Sequence, residues 1–553
     1  MLPLPQSASE RAGGTAVEAT QTRRTLITGA AALAAYAALP RAGYAAEKRS
    51  PVVATTAGKV RGYVEDGVSV FKGLRYGQDT GGARRFTPPI KPEPWTEVKD
   101  ALTYGASCPQ GKGEEETQSE DCLFLNVWTP ATAGKTGLAD GGKRPVMVYI
   151  HGGAYNTGSG SHPWYVGTKL ARRGDVVVVT VNHRLNAFGY LYLARLFNDP
   201  SVADSGNAGQ LDLVLALRWV RDNIAAFGGD PGRVMLFGQS GGGAKIATLL
   251  AQPNAKGLFH RAATMSGQQV TAGGPFNATK RAKAFMEKVG AQDLASLRAL
   301  PADKMVEGLR AVDPIAGSGG AYMGPVLDER TLDRHPFFPD ASPVGLGVPM
   351  MCGNTHDETK GFIGWDAGAF PKTWDEVIAR LPGQFNARID IDPETVVAFY
   401  RKTYPTYSPS DVYFAASTAG RSWKAAIIQD EERAKAGAPA FAYQVNWKSP
   451  RDGGIFGAPH TIDIGLVFGT LDAKGSIVGT GPDSVAMSNT MSDAFVRFAS
   501  TGDPNGGALP RWEPYTLPRR QTMVFDTTSR LEDDPRGAER AFFNRVPFTQ
   551  FGT

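Results

Sequence analysis

Between Arg233 and Leu250 the chain reads RVMLFGQSGGGAKIATLL, with one serine, Ser240, set among glycines. Gly238-Gln239-Ser240-Gly241-Gly242 matches G-x-S-x-G, the pattern of a nucleophilic serine held on a sharp strand-to-helix turn. The flanks agree with that geometry. Val234 to Phe237 is a short apolar run suited to a buried strand. From Ala244 on, Ile246, Leu249 and Leu250 recur at helical spacing until Pro253 stops the pattern. Glycine on both sides of the serine gives a strained turn the room it needs, and the following helix N-terminus favours negative charge. Glycine-rich turns also serve packing alone, so the decision rests on whether the chain supplies partners for the hydroxyl.

A serine needs a base to take its proton and an acid to orient that base, in the chain order serine, acid, histidine. Of the seven histidines, His151, His162, His183, His260 and His335 are set aside by position or by the lack of an exposing loop, leaving His356 and His460. His460 stands in GIFGAPHTIDIGLVFG, a glycine-proline loop running into an apolar segment. His356 shares the loop CGNTHDETKGF with Asp357 and Glu358. Because the base must come from a later strand, Glu358 reads as the acid, His460 as the base and His356 as a bystander. An oxyanion needs converging backbone amides. YIHGGAYNTGSG, with Gly152, Gly153 and Ala154, is a loop of the type that supplies them, and Gly241 offers one more. Phe362 and Tyr155 flank these motifs and are expected to line the pocket, core packing being the competing reading.

The elements that must hold these residues describe a crossover sheet. RPVMVYIHGG and DVVVVTVNHR are apolar runs of the kind buried mid-sheet. GQLDLVLALRWVRDNIAAFGGD keeps Leu211, Val214, Leu215, Leu217, Val220 and Ile224 largely on one helical face. Strand, helix, elbow strand and helix in succession predict an α/β fold with a mostly parallel sheet. Further strands are expected at HRAATMSG, VPMMCGN and PAFAYQVNW, with short antiparallel strands at the entry, residues 52 to 77. Residues 275 to 345 and 365 to 435 read as helical, loop-rich insertions over the sheet.

Composition fits one large globular catalytic domain, residues 47–553, with 42% hydrophobic and 20% charged residues. The net charge of +5 is small, and no basic tract or zinc-ligand spacing points to nucleic acid. Residues 1–46 read as an export signal. Arg23 and Arg24 precede a mild Ala-rich run, as in twin-arginine export, and cleavage near Ala45 or Ala46 leaves +3. No other segment is expected to span a membrane, so the destination is the periplasm or the exterior. There an oxidising environment favours a disulfide between Cys108 and Cys122 across a loop of 13 residues, worth about 3 kcal/mol. Cys352, in VPMMC, reads as a buried free thiol. Neither metal nor cofactor is implied.

FKGLRYG, RRFTPP, SEDCLFLNVWTP, YIHGGAYNTGSG, VNHRLNAFGYL, NIAAFGGDPGRVMLFGQSGGG, GPVLD, GNTHDETKGF, GAPHTIDIGLVFG and FASTGDPN together resemble the type B carboxylesterase/lipase family, over about residues 52 to 545. The resemblance implies an α/β-hydrolase fold with insertions over the active site, and a small-molecule ester substrate cleaved without a cofactor. It assigns Ser240, Glu358 and His460 as the triad, and Gly153, Ala154 and Gly241, supported by Gly152, as the oxyanion hole. It also pairs Cys108 with Cys122 and Arg85 with Glu120. Carbamate or aryl-amide hydrolysis is the alternative within the same chemistry; a silent binding protein of the same fold is the remote one. Three positions depart from the family pattern: Gly241 where alanine is usual, Thr359 where glycine is common, and Arg75 in place of proline. The Cys108–Cys122 loop holds no tryptophan, which disfavours a quaternary-ammonium site.

Overall fold

The computed structural model describes residues 49–111, 117–130, 143–385, 389–438 and 440–550; the export segment expected at 1–46 lies outside the described residues. Thirteen strands form one sheet: β1 Arg49–Ala54, β2 Lys59–Glu65, β3 Val68–Arg75, β4 Val98–Asp100, β5 Phe124–Pro130, β6 Arg144–Ile150, β7 Val177–Val181, β8 Gly229–Gln239, β9 Arg261–Met265, β10 Met350–Thr355, β11 Ala440–Val445, β12 Gln521–Phe525 and β13 Arg530–Asp533. Their spatial order is β1-β2-β3-β5-β7-β6-β8-β9-β10-β11-β12-β13, with β4 beside β2. From β7 through β12 every pairing is parallel, whereas β1, β2, β3, β5 and β7 pair antiparallel, as do β12 and β13.

The central strands are apolar throughout because both faces are covered. On β6, Val146, Val148 and Ile150 join a core with Val177, Val179, Leu236, Leu213 and Ile246. Met147 and Tyr149 point the other way, onto Phe237, Phe495 and Phe498. The predicted helix is observed as Ala208–Asn223, and a buried ion pair from Asp212 to Arg184, 2.7 Å, ties it to the loop after β7. The elbow strand begins five residues earlier than the apolar run suggested, because Gly229 already pairs with Arg144 before a register shift that leads to the Val146–Val234 pair. The insertion at 365 to 435 is helical and carries its own core, with Val377, Leu381, Tyr400, Phe414 and Trp423. Strands β12 and β13 and the helix Pro482–Thr501 were not anticipated.

Arg85 and Glu120 form the expected ion pair through both guanidinium Nε, at 2.8 Å, and Nη2. Arg85 Nη1 also donates to the carbonyls of Leu297, Arg298 and Leu300, at 3.1, 3.1 and 2.8 Å, capping the end of the helix Leu294–Ala299. The expected Cys108–Cys122 disulfide is not formed here. Both are buried free thiols in contact with each other, and that contact together with burial pushes the Cys122 thiol up; Cys108 Sγ also accepts the Leu185 amide at 3.2 Å. Cys352 is a buried free thiol, as expected. Arg75 has a local reason: it pairs with Asp121 and lies 4.5 Å over the Phe124 ring.

Removing Arg85 strands a mostly buried carboxylate and three helix-end carbonyls. Arg85→Ala is expected to cost about 3–5 kcal/mol, seen as a lower urea midpoint at unchanged m-value.

Candidate active site

Ser240 caps the helix Gly241–Leu249 with φ 57° and ψ −126°, a conformation a non-glycine residue holds only under constraint. The constraint is visible on both sides: Ser240 N donates to the Met265 carbonyl at 2.8 Å, and its own carbonyl accepts from Ala244 N at 3.1 Å. The neighbouring glycines are needed for close approach. A Cβ on Gly242 would lie 1.9 Å from the Ile150 carbonyl oxygen, and one on Gly241 would lie 2.1 Å from that of Ala154. The oxyanion-type loop therefore rests directly on the elbow. It follows β6, with Gly153 at φ 83° and Ala154 at φ 52°. The amides of Gly153, Ala154 and Gly241 make no backbone hydrogen bond among the described residues, as donors awaiting a substrate oxygen would require.

The acid and the base arrive on two loops zipped together. Asp357 N donates to the Ala458 carbonyl at 2.9 Å, Ala458 N to Asp357 Oδ2 at 3.0 Å, and His460 N to the Glu358 carbonyl at 3.4 Å. A side chain on Gly361 would strike His460 N at 2.7 Å. The result is a direct contact from His460 Nδ1 to Glu358 Oε2, both residues buried. Glu358 Oε1 accepts from Thr355 N at 3.0 Å. With Nδ1 donating to a carboxylate, Nε2 keeps its lone pair and is the atom able to take a proton. The Ser240 hydroxyl makes no hydrogen bond to that ring in this structure; the Gln239 amide nitrogen lies 3.2 and 3.1 Å from its two nitrogens. His356 instead contacts Asp357 at 3.3 Å, apart from Glu358.

Comparison with known proteins identifies the family. The family model described as the carboxylesterase family matches residues 49–543. The chain belongs to the carboxylesterase family. It is 36% identical to the para-nitrobenzyl esterase of Bacillus subtilis (strain 168) over 88% of this chain and 97% of that one. It is 34% identical to the phenmedipham hydrolase of Pseudarthrobacter oxydans over 84% and 93%. A solved carboxylesterase of Geobacillus stearothermophilus superposes with a TM-score of 0.78 at 37% identity, covering 89% of this chain and all of that one. The fold is that of α/β-hydrolase esterases, and the protein is a carboxylic ester hydrolase.

Within this carboxylesterase, the two expected pocket residues part company. Phe362 is 38% exposed and its ring lies 4.3 Å from that of His460. Tyr155 is only 2% exposed; its hydroxyl donates to Gln269 Oε1 at 3.0 Å and its ring packs edge-on to Tyr190, so it supports the loop from behind. Thr359 is buried, and its hydroxyl meets Ser417 and Thr418 at 2.8 and 3.0 Å, pinning the acid loop to the inserted helices.

Two buried groups escaped the sequence reading. Lys245, on the elbow helix, donates to the carbonyls of Ala154 at 2.7 Å and His151 at 3.2 Å, and burial lowers its pKa to about 7. Its signal was a lysine inside the apolar run AKIATLL. Asp463, three residues after the base, is fully buried beside Tyr443; burial and the charge of Glu358 raise its pKa to about 8.

Gly241→Ala is expected to push the Ala154 carbonyl off the elbow and lower kcat about 10²–10³-fold, with a smaller change in KM, measured by steady-state kinetics on one activated ester. Asp463 is neutral in the folded protein up to about pH 8 but ionises near pH 4 when unfolded. Stability from this group therefore declines as pH rises from about 4 to about 8. Asp463→Asn should match the wild-type pH–rate profile below about pH 7, diverge from it above about pH 8, and melt higher than wild type at pH 9.

Proposed function

We propose that this carboxylesterase works through an acyl-enzyme formed on Ser240. His460 Nε2 takes the Ser240 proton as Oγ attacks the ester carbonyl, and Glu358 holds the imidazole and balances the charge it gains. The amides of Gly153, Ala154 and Gly241, with Gly152 leaving room beside them, bind the oxyanion. His460 then returns the proton to the departing alcohol, and water attacks the acyl group with the same base, restoring Ser240. The observation that carries this reading is the His460–Glu358 contact, held by two interlocked loops beside a strained serine. The serine-to-histidine hydrogen bond absent from the free site forms as substrate displaces the Gln239 amide; such bonds tighten in the substrate complex.

Residues 47–553 act as one catalytic domain, with residues 1–46 directing export by the twin-arginine route. In an oxidising compartment the touching Cys108 and Cys122 thiols close their loop as a disulfide. The substrate is a small-molecule ester. Phenmedipham belongs in the panel on the likeness to a hydrolase of that name. No helix among the described residues is long and apolar enough to cross a membrane.

Rapid mixing with para-nitrophenyl butyrate should release about one equivalent of nitrophenol per enzyme before steady turnover. Ser240→Ala should abolish that burst and lower turnover by at least about 10⁴-fold. Turnover in the variant within tenfold of wild type overturns the assignment.

A further inference from the structure

Arg421 sits in a single π-helical turn, Ala419–Trp423, between the helices Pro409–Thr418 and Lys424–Lys435. Such turns interrupt a helix at a cost and often occur at functional sites. Its guanidinium carbon lies 3.9 Å from the centroid of the Phe362 ring. The same ring has His460 at 4.3 Å. Phe362 therefore packs against both the His460 imidazole and the Arg421 guanidinium. The guanidinium thus shares with the imidazole one aromatic neighbour, itself an exposed ring.

Among the described residues Arg421 forms no ion pair and no hydrogen bond, yet none of its nitrogens is sealed from solvent. Burial lowers its pKa, and the carboxylate whose charge it feels is Glu358, which is already engaged with His460 and Thr355. A partly desolvated guanidinium with five donors and no protein acceptor gains more from an anionic ligand than one fully in water. Its planar fork matches a carboxylate in two-point contact.

We infer that Arg421 is an anion subsite of the active site and that the esters this enzyme prefers carry a carboxylate beside the scissile bond, as in the half ester of a dicarboxylic acid. This rests on the esterase reading above and adds the substrate class to it. Phe362 packs against both groups and so holds the guanidinium near the base. The carboxylate binds at Arg421 while the ester carbonyl reaches Ser240.

The test pairs mono-para-nitrophenyl glutarate with neutral para-nitrophenyl valerate, for wild type, Arg421→Gln and Arg421→Lys. In Arg421→Gln the charged ester should lose at least tenfold more kcat/KM than the neutral one, mainly through KM, with partial recovery in Arg421→Lys. Added salt should narrow the gap in wild type. An unchanged ratio overturns the subsite, and so does an equal fall on both esters, which would make Arg421 a support for the Phe362–His460 stack. Calorimetric titration with glutarate needs no turnover: at least tenfold weaker binding to Arg421→Gln supports the subsite, and equal binding overturns it. Failure of wild type to hydrolyse either ester would count against the esterase mechanism instead, with the glutarate titration still deciding the subsite.

Discussion

The site depends on how closely the loop after β6 lies against the turn after β8. The two strands are parallel neighbours, so their C-terminal ends emerge side by side. Where they leave the sheet, carbonyl oxygens of Ile150 and Ala154 occupy the space that side chains at residues 242 and 241 would fill. Backbone on backbone at that distance is possible only for glycine. Lys245 then bridges the contact from below, placing its ammonium on the carbonyls of His151 and Ala154. Ser240 and the amides of that loop are thereby fixed relative to each other, the preorganisation that the proposed oxyanion role requires.

Around that contact the buried charges are sorted by sign. A lysine stands beneath the loop where a transition state would gather negative charge. A carboxylate stands behind the imidazole, which would become positive. Asp463 is kept neutral through the physiological range first by burial and then by the charge of Glu358. His151 and His183, stacked at 4.8 Å near Lys245, are held neutral by burial and by its charge, His151 with a pKa of about 3.

The three departures from the family pattern each acquire a cause in the tertiary structure. Glycine at 241 accommodates the Ala154 carbonyl that Lys245 draws in. Threonine at 359 exchanges backbone freedom for hydroxyl contacts that anchor the acid loop to the inserted helices. Arginine at 75 finds Asp121 and the Phe124 ring. The insertion from 365 to 435 does more than cover the sheet, since it supplies Thr418 to the acid loop and Arg421 to the ring of Phe362.

The sequence by itself determined the strand-turn-helix at Ser240, the long helix before it and the central strands, because glycine placement and apolar periodicity are local signals. Chain order singled out Glu358 and His460 from among the acids and histidines, and the fold brings the two into contact. It also carried the Arg85–Glu120 pairing through resemblance. Only the tertiary structure decided what lies within reach of those residues. Lys245 is marked only by its place in the apolar run AKIATLL, and Asp463 and Arg421 by no local pattern; the meaning of all three comes from carbonyls, carboxylates and rings brought in from elsewhere in the chain. The same reason separates Phe362 from Tyr155: both stand beside a motif in the chain, but burial and partners are properties of the folded surface, and only the fold could turn one toward the base and the other into the core.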